Sequence, residues 1–216
     1  MSRIGNLFGR FRPAPRAADD SAPQADAARW VIAGLGNPGE QYRRSRHNVG
    51  FMVAARIAAS HGIDLTRRKF NGLYGEVRNV SLNAIIVTPQ TFYNRSGECI
   101  AGILGYFKVP LERLIVVHDE MDLPMGQLRL KQGGGDAGNR GVRSIAQTLG
   151  ANFIRVRVGI GHPDGPQGDI DHVIRPLGGS ELKAFEPVLD RAAEAVVAIT
   201  RDGLERARNQ YNQRGA

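Results

Sequence analysis

Three short apolar runs limit the architecture of this chain more than any other feature. Trp30–Leu35, Ala84–Val87 and Leu114–Val117 carry no polar residue at alternate positions. A strand with one wet face alternates apolar and polar side chains, whereas a continuously apolar one is buried on both faces. Between the runs lie helical patterns at about 49–61 (Phe51, Val53, Ala54, Ile57, Ala58), 97–107 and 140–149. Val188, Ala192, Ala195, Val196 and Ile199 mark a longer amphipathic helix. Leu128 and Leu130 alternate with Arg129 and Lys131, and Ile154, Val156 and Val158 with Arg155 and Arg157. Both stretches read as strands with one basic face. Strands interleaved with helices predict one α/β domain with a twisted, mixed and mostly parallel central sheet flanked by helices. A chain of 216 residues suits a single domain of that kind.

The first run ends in "GLGNPG", where Gly34, Gly36 and Gly39 spell G-x-G-x-x-G. A dinucleotide-binding turn of that spacing runs directly into a helix and meets an acidic residue about 20 positions on. Here Pro38 interrupts the motif, "EQYRRSRHN" follows as loop, and "AARIAAS" stands where the acid belongs. The glycines make a turn, but not for a dinucleotide.

A formal charge of +8 points to an anionic partner, most often nucleic acid, because phosphate contacts release counterions. The only cysteine, Cys99, excludes an internal disulfide framework and a cysteine-cluster metal site. No apolar stretch approaches the ~20 residues of a membrane span, so a cytoplasmic protein is expected. Residues 1–28, rich in Ala, Pro, Arg and Asp, read as a disordered basic extension without the apolar core of a secretory signal. Residues 29–216 form the α/β domain.

Chemistry in such folds gathers beyond the carboxyl ends of the strands. Four polar loops follow the apolar runs: one with Asn37, Tyr42, His47 and Asn48; "PQTFYNRSG" with Asn94; "HDEMDLPMG" with His118, Asp119, Glu120 and Asp122; and the glycine-rich "KQGGGDAGNRG" from Lys131 to Gly141. His47 could take a proton from water near neutrality, with the Asp119 carboxylate fixing its tautomer. No serine or cysteine sits in a nucleophile context, so water would attack. Asn37 and Asn94 offer neutral NH2 donors of the kind that stabilise an oxyanion. The acids of "HDEMD" would alternate faces on a continued strand, and a hard-metal site draws ligands from further afield, so no metal is expected. Arg129, Lys131, Arg155 and Arg157, with Arg140 and Arg143 at the start of a helix, form a basic set suited to clamping phosphates. No aromatic ladder accompanies them, which argues against base stacking.

"GLGNPGEQYRRSRHNVGF", "PQTFYNRSG", "HDEMDLPMG" and "FIRVRVGIGHP", in this order, closely resemble the signature segments of bacterial peptidyl-tRNA hydrolases. The resemblance spans about residues 30–210. It implies a usually monomeric enzyme, without cofactor or metal, that hydrolyses the ester between peptide and tRNA and so recycles tRNA from prematurely released chains. It assigns His47 as general base, Asp119 as its orienting carboxylate, and Asn37 and Asn94 as ligands of the peptide backbone and the water or oxyanion. Tyr42 would line the same site. Lys131 and Arg157, supported by Arg129 and Arg143, would hold the 5′-phosphate of the acceptor stem.

Two segments depart from the family pattern, at three positions. Asn139 and Arg140 stand where a His-Asn pair is usual, and Tyr93 replaces a frequent Met. All three are expected at the substrate site beside Asn94. These departures leave room for an alternative, a non-catalytic RNA-binding relative like the chloroplast splicing factors that share the resemblance. Retention of His47, Asp119, Asn37 and Asn94 together favours the enzyme.

Overall fold

The computed structural model describes residues 26, 28–163 and 168–212, apart from the side chain of Ile170. The expected extension, residues 1–28, lies outside the described residues except at its end. There Asp26 accepts hydrogen bonds from the Asn83 side chain and the backbone of Arg29, which attaches it to the domain.

Seven strands form one mixed sheet: β1 (Trp30–Gly34), β2 (Arg67–Lys69), β3 (Gly72–Arg78), β4 (Asn83–Pro89), β5 (Leu114–Glu120), β6 (Leu128–Gln132) and β7 (Ile154–Gly159), in the order β2-β3-β4-β1-β5-β7-β6. The centre, β4-β1-β5-β7, is parallel, while β2, β3 and β6 join its margins antiparallel. Among the described residues six α-helices accompany it: α1 (Val49–Ser60), α2 (Ser96–Phe107), α3 (Arg140–Leu149), α4 (Asp169–Ile174), α5 (Gly179–Asp202) and α6 (Leu204–Tyr211).

The continuous apolar runs are buried on both sides, as their composition requires. Ile32, Ile86, Ile115 and Val117 pack under α1, α5 and α6 with Val53, Ile57, Phe185, Leu189 and Ile199. Their alternates Val31, Ala33, Ile85, Val87, Leu114 and Val116 pack under α2 and α3 with Ile100, Ile103, Phe107 and Ile145. Each fully buried Ile or Leu stabilises by about 1.5–3 kcal/mol, so the two layers supply most of the driving force.

The periodicity did not announce β2, β3, α4 or α6. The β2–β3 hairpin turns on Phe70 and Asn71, both at positive φ (49° and 55°). Asn-Gly is the usual signal of such a turn; here Asn71-Gly72 stands one position late, so that Phe70 and Asn71 take the two positive-φ places and Gly72 opens β3. The two short helices offer too few turns for a helical period to show.

The glycine turn lets a helix touch a strand. A Cβ on Gly34 would lie 2.2 Å from the Gly50 carbonyl oxygen and 2.8 Å from Ala54 Cβ. A Cβ on Gly50 would lie 2.4 Å from both Leu35 N and the Val117 oxygen. The chain threads this contact with Leu35 N–H donating to Val117 O (2.9 Å) and Phe51 N–H donating to Leu35 O (3.2 Å). Gly34→Ala is therefore expected to cost about 3 kcal/mol through overpacking against backbone that cannot move aside. For a domain of this size the melting temperature should fall by roughly 6–12 °C. An unchanged melting temperature by circular dichroism would show that α1 does not need this contact.

Candidate active site

β1 leads into α1 on one face of the sheet, and its neighbour β4 leads into α2 on the other. Their loops part at the carboxyl edge and leave a crevice, the usual ligand position in open α/β sheets. Four loop or strand-end residues converge there. His47 comes from the 3-10 turn Arg46–Asn48 and Asp119 from the end of β5. Tyr93 comes from the 3-10 turn Tyr93–Arg95, and Asn139 is the N-cap of α3.

His47 Nδ1 lies 2.8 Å from Asp119 Oδ2. An ionised carboxylate can only accept, so Nδ1 carries the proton and Nε2 keeps its lone pair. The other carboxylate oxygen is fully engaged: Asp119 Oδ1 accepts from the Tyr93 hydroxyl at 2.8 Å and from Asn139 Nδ2 at 3.0 Å. Asn139 Nδ2 also lies 3.0 Å from the Tyr93 oxygen, while its Oδ1 accepts from Val142 N–H at 3.0 Å and caps α3. The Tyr93 ring stacks on the imidazole, with centroids 3.6 Å apart and planes 19° from parallel.

Burial works against the Asp119 charge, but His47, the Tyr93 hydroxyl and His118 outweigh it and hold this carboxyl below its ordinary value. Burial, reinforced by the Asp119 charge, pushes the Tyr93 phenol well above its ordinary value, so it stays a donor. His118 faces away from the crevice. Burial lowers its pKa to about 4, and its neutral ring donates from Nδ1 to the Asp119 carbonyl at 2.7 Å.

The loop carrying His47 is pinned from behind. Arg46 is buried and bonds Glu181 at 2.5 Å; Ser45 bridges Pro176; Leu177 N–H donates to Arg44 O. Asn48 holds the other loop by both backbone groups of Asn37: Oδ1 accepts from Asn37 N–H (2.8 Å) and Nδ2 donates to Asn37 O (2.9 Å). Asn37 Oδ1 in turn accepts from Tyr93 N–H at 3.1 Å. Its NH2 group has no partner among the described residues. Asn94 is exposed beside Tyr93, and its side chain is likewise without a partner among them.

The remaining expected residues fall in three places. Asn37 and Asn48 belong to the wall of a cleft of about 680 Å³ whose apolar lining includes Phe51, Met52, Leu65 and Leu73. Tyr42 lines a separate hollow of about 600 Å³ with Asp171, Ile174, Arg175 and Pro176. Arg140 is exposed at the first position of α3.

The basic strands pair as the alternation implied: Arg129 opposite Arg157 and Lys131 opposite Arg155. One of these strand cations and one on α3 already have acids, with Arg157 Nε on Glu120 at 2.8 Å and Arg143 Nε on Asp136 at 2.9 Å. Arg155 is buried and donates from Nη1 to Gly135 O at 2.6 Å, while its Nε and Nη2 have no partner among the described residues. Burial and the neighbouring Arg155 and Arg157 lower the Lys131 pKa. The four polar residues of "HDEMD" serve four partners: His118 the Asp119 carbonyl, Asp119 the imidazole, Glu120 Arg157, and exposed Asp122 His162 at 3.2 Å. The roles of Asn48, Glu120 and Arg46 carried no sequence signal, because each depends on a partner between 11 and 135 positions away.

A histidine–aspartate dyad at the carboxyl edge of the parallel centre of the sheet, beside two amide NH2 groups without a partner among the described residues, has the make-up of an α/β hydrolytic enzyme. More specifically, the chain belongs to the peptidyl-tRNA hydrolase family, whose model matches residues 31–216. It is 42% identical over 188 residues to the peptidyl-tRNA hydrolase of Carboxydothermus hydrogenoformans, covering 86% of this chain and 100% of that one. It is likewise 42% identical over 191 residues to that of Streptomyces coelicolor, covering 86% and 96%. The crystal structure of peptidyl-tRNA hydrolase from Acinetobacter baumannii superposes with a TM-score of 0.80 at 33% identity, covering 88% of this chain and 97% of that one.

Proposed function

We propose that this chain hydrolyses the ester joining a peptide to the 3′ end of tRNA, with His47 activating water. The observation that carries this reading is the 2.8 Å contact between His47 Nδ1 and Asp119 Oδ2, which leaves Nε2 as the free base. Water attacks the ester carbonyl carbon and gives its proton to Nε2. The carbonyl oxygen becomes an oxyanion, for which the NH2 groups of Asn37 and Asn94 are donors. Collapse breaks the bond to the ribose oxygen, which takes the proton back from the imidazolium. The products are a tRNA with a free 3′-hydroxyl and a peptide carboxylic acid, which loses its proton to solvent.

Lys131 and Arg157, with Arg129 and Arg143 beside them, hold acceptor-stem phosphate in this reading, and Tyr42 and Arg140 flank the substrate. The enzyme works as a cytoplasmic monomer; no helix among the described residues is long and apolar enough to cross a membrane. Phosphate contacts carry no sequence information, so tRNAs of different sequence should be handled alike.

Release of the acyl group from N-acetyl-aminoacyl-tRNA, with the full chain and EDTA present, tests the reaction. Multiple turnovers are expected. Salt-sensitive tRNA binding without turnover would instead assign the chain to the non-catalytic RNA-binding alternative. Lys131→Ala is expected to weaken binding about uniformly across tRNAs and to lower the slope of log affinity against log salt by about one. An unchanged slope in a filter-binding titration would remove Lys131 from the phosphate contact.

A further inference from the structure

We infer that Tyr93 is a positioning residue for the dyad, holding Asp119 with its hydroxyl and His47 with its ring, and not a substrate ligand. The inference rests on the reading of His47 and Asp119 as the water-activating pair. Three observations support it. The Tyr93 side chain is 4% exposed, and its hydroxyl is spent on Asp119 Oδ1 at 2.8 Å instead of facing the crevice. The ring stacks on the imidazole at 3.6 Å. It also packs closely against α3, where a Cβ on Gly141 would lie 2.5 Å from Tyr93 Cε1 and 2.9 Å from Leu35 Cδ1. The phenol is thus fixed by the scaffold before it touches either member of the pair.

The consequences follow from carboxylate chemistry. Asp119 would otherwise be free to rotate or to share both oxygens with His47. With Tyr93 and Asn139 both donating to Oδ1, the carboxylate plane is set and Oδ2 alone faces the imidazole. The stacked ring then sets the plane of the imidazole, so Nε2 has one direction in which to accept a proton. Catalytic groups held in one geometry contribute to rate through orientation. The phenol also withdraws part of the Asp119 charge, which moderates how strongly the carboxylate stabilises the imidazolium. Asn139 shares the hydroxyl's target and caps α3, so two of the three departures from the family pattern, at 93 and 139, meet at one oxygen atom.

Tyr93→Phe and Tyr93→Met separate the two parts of this role. Phenylalanine keeps the ring and removes the hydroxyl; methionine removes both with little loss of volume. With N-acetyl-aminoacyl-tRNA as substrate, Tyr93→Phe is expected to lower kcat about 5–50-fold with KM within about two-fold, because the contact is to the catalytic pair and not to substrate. The acid limb of its kcat/KM profile should move to higher pH by roughly half a unit, because the less neutralised Asp119 holds the proton on His47 more strongly. Tyr93→Met should lose at least as much kcat. A profile superimposable on wild type, a rise in KM with kcat unchanged, or wild-type kcat in the methionine variant would each overturn the proposal. A loss of kcat with an unmoved limb and a lowered melting temperature would also overturn it, by assigning Tyr93 to packing alone. His47→Ala, measured alongside, separates the two levels of the argument. An active His47→Ala removes the underlying reading, whereas an inactive one beside an unaltered Tyr93→Phe removes only the role of Tyr93.

Discussion

His47→Ala lowers kcat by about 10²–10⁴-fold while the dissociation constant for N-acetyl-aminoacyl-tRNA stays within about two-fold, the outcome expected of a general base that does not hold substrate. The side chain is 17% exposed and makes one polar contact, to Asp119; its removal frees Asp119 Oδ2 but leaves the carboxylate held at Oδ1 by Tyr93 and Asn139. Binding should survive because the cations proposed to hold phosphate lie on β6, β7 and α3, not in the 3-10 turn that carries His47. Single-turnover hydrolysis and filter binding measured on the same preparation check both halves. An equal loss of rate and affinity would make His47 a substrate ligand or a structural residue and would end the water-activation mechanism. The pH profile of wild type carries a sign of its own. His47 must be neutral to accept a proton, so kcat/KM falls toward acid. Asp119 is held below the ordinary carboxylate range and stays ionised across that limb, which therefore reports one protonation.

Asp119→Asn should be nearly as damaging to rate, by about 10³–10⁴-fold, and for a different reason. An amide turned so that its oxygen keeps the donors from Tyr93 and Asn139 presents its NH2 to His47 Nδ1. The imidazole would then place its proton on Nε2, the wrong tautomer for a base facing the crevice. The fold should hold, since the buried hydrogen bonds at Oδ1 survive. Asp119→Ala is expected to lose comparable rate but also about 1–3 kcal/mol of stability, because the Tyr93 hydroxyl and the Asn139 amide lose their buried acceptor. Melting curves beside kcat for the two variants distinguish these effects. A catalytically competent Asp119→Asn would show that the carboxylate neither sets the tautomer nor stabilises the imidazolium.

Much of the fold was legible without coordinates, and the reason is the uniform burial of the central strands. Leu114–Val117 could be apolar at every position only if both faces were covered, and the two packed layers on β5 are that condition met. The boundaries of α1, α2 and α3 followed from a helical period long enough to show. The hairpin at Phe70–Asn71 and the short helices α4 and α6 did not follow: β2 has only three residues and no apolar alternation, and positive φ at Phe70 comes from pairing across β2 and β3, so Asn71-Gly72 by itself did not mark the turn. At the site, the segments that resemble the family's signature singled out His47, Asp119, Asn37 and Asn94 as candidates, and the same comparison marked Tyr93, Asn139 and Arg140 as departures. What those departures do was invisible in one dimension.

The sequence by itself determined the layers, the basic face of β6 and β7, and the set of residues from which a water-activating site could be built, because each is a matter of residue type at a regular spacing. Only the tertiary structure decided which oxygen of Asp119 faces His47, that Tyr93 and Asn139 take the other, that Arg157 is bound by Glu120, and that Gly34 serves a helix contact with Gly50. The physical reason is range. Apolar periodicity acts between neighbours on one element, whereas hydrogen bonds act over about 3 Å between atoms whose residues are 20, 26, 37 or 72 positions apart. Nothing local in the chain encodes such a distance until the sheet has brought the strand ends together.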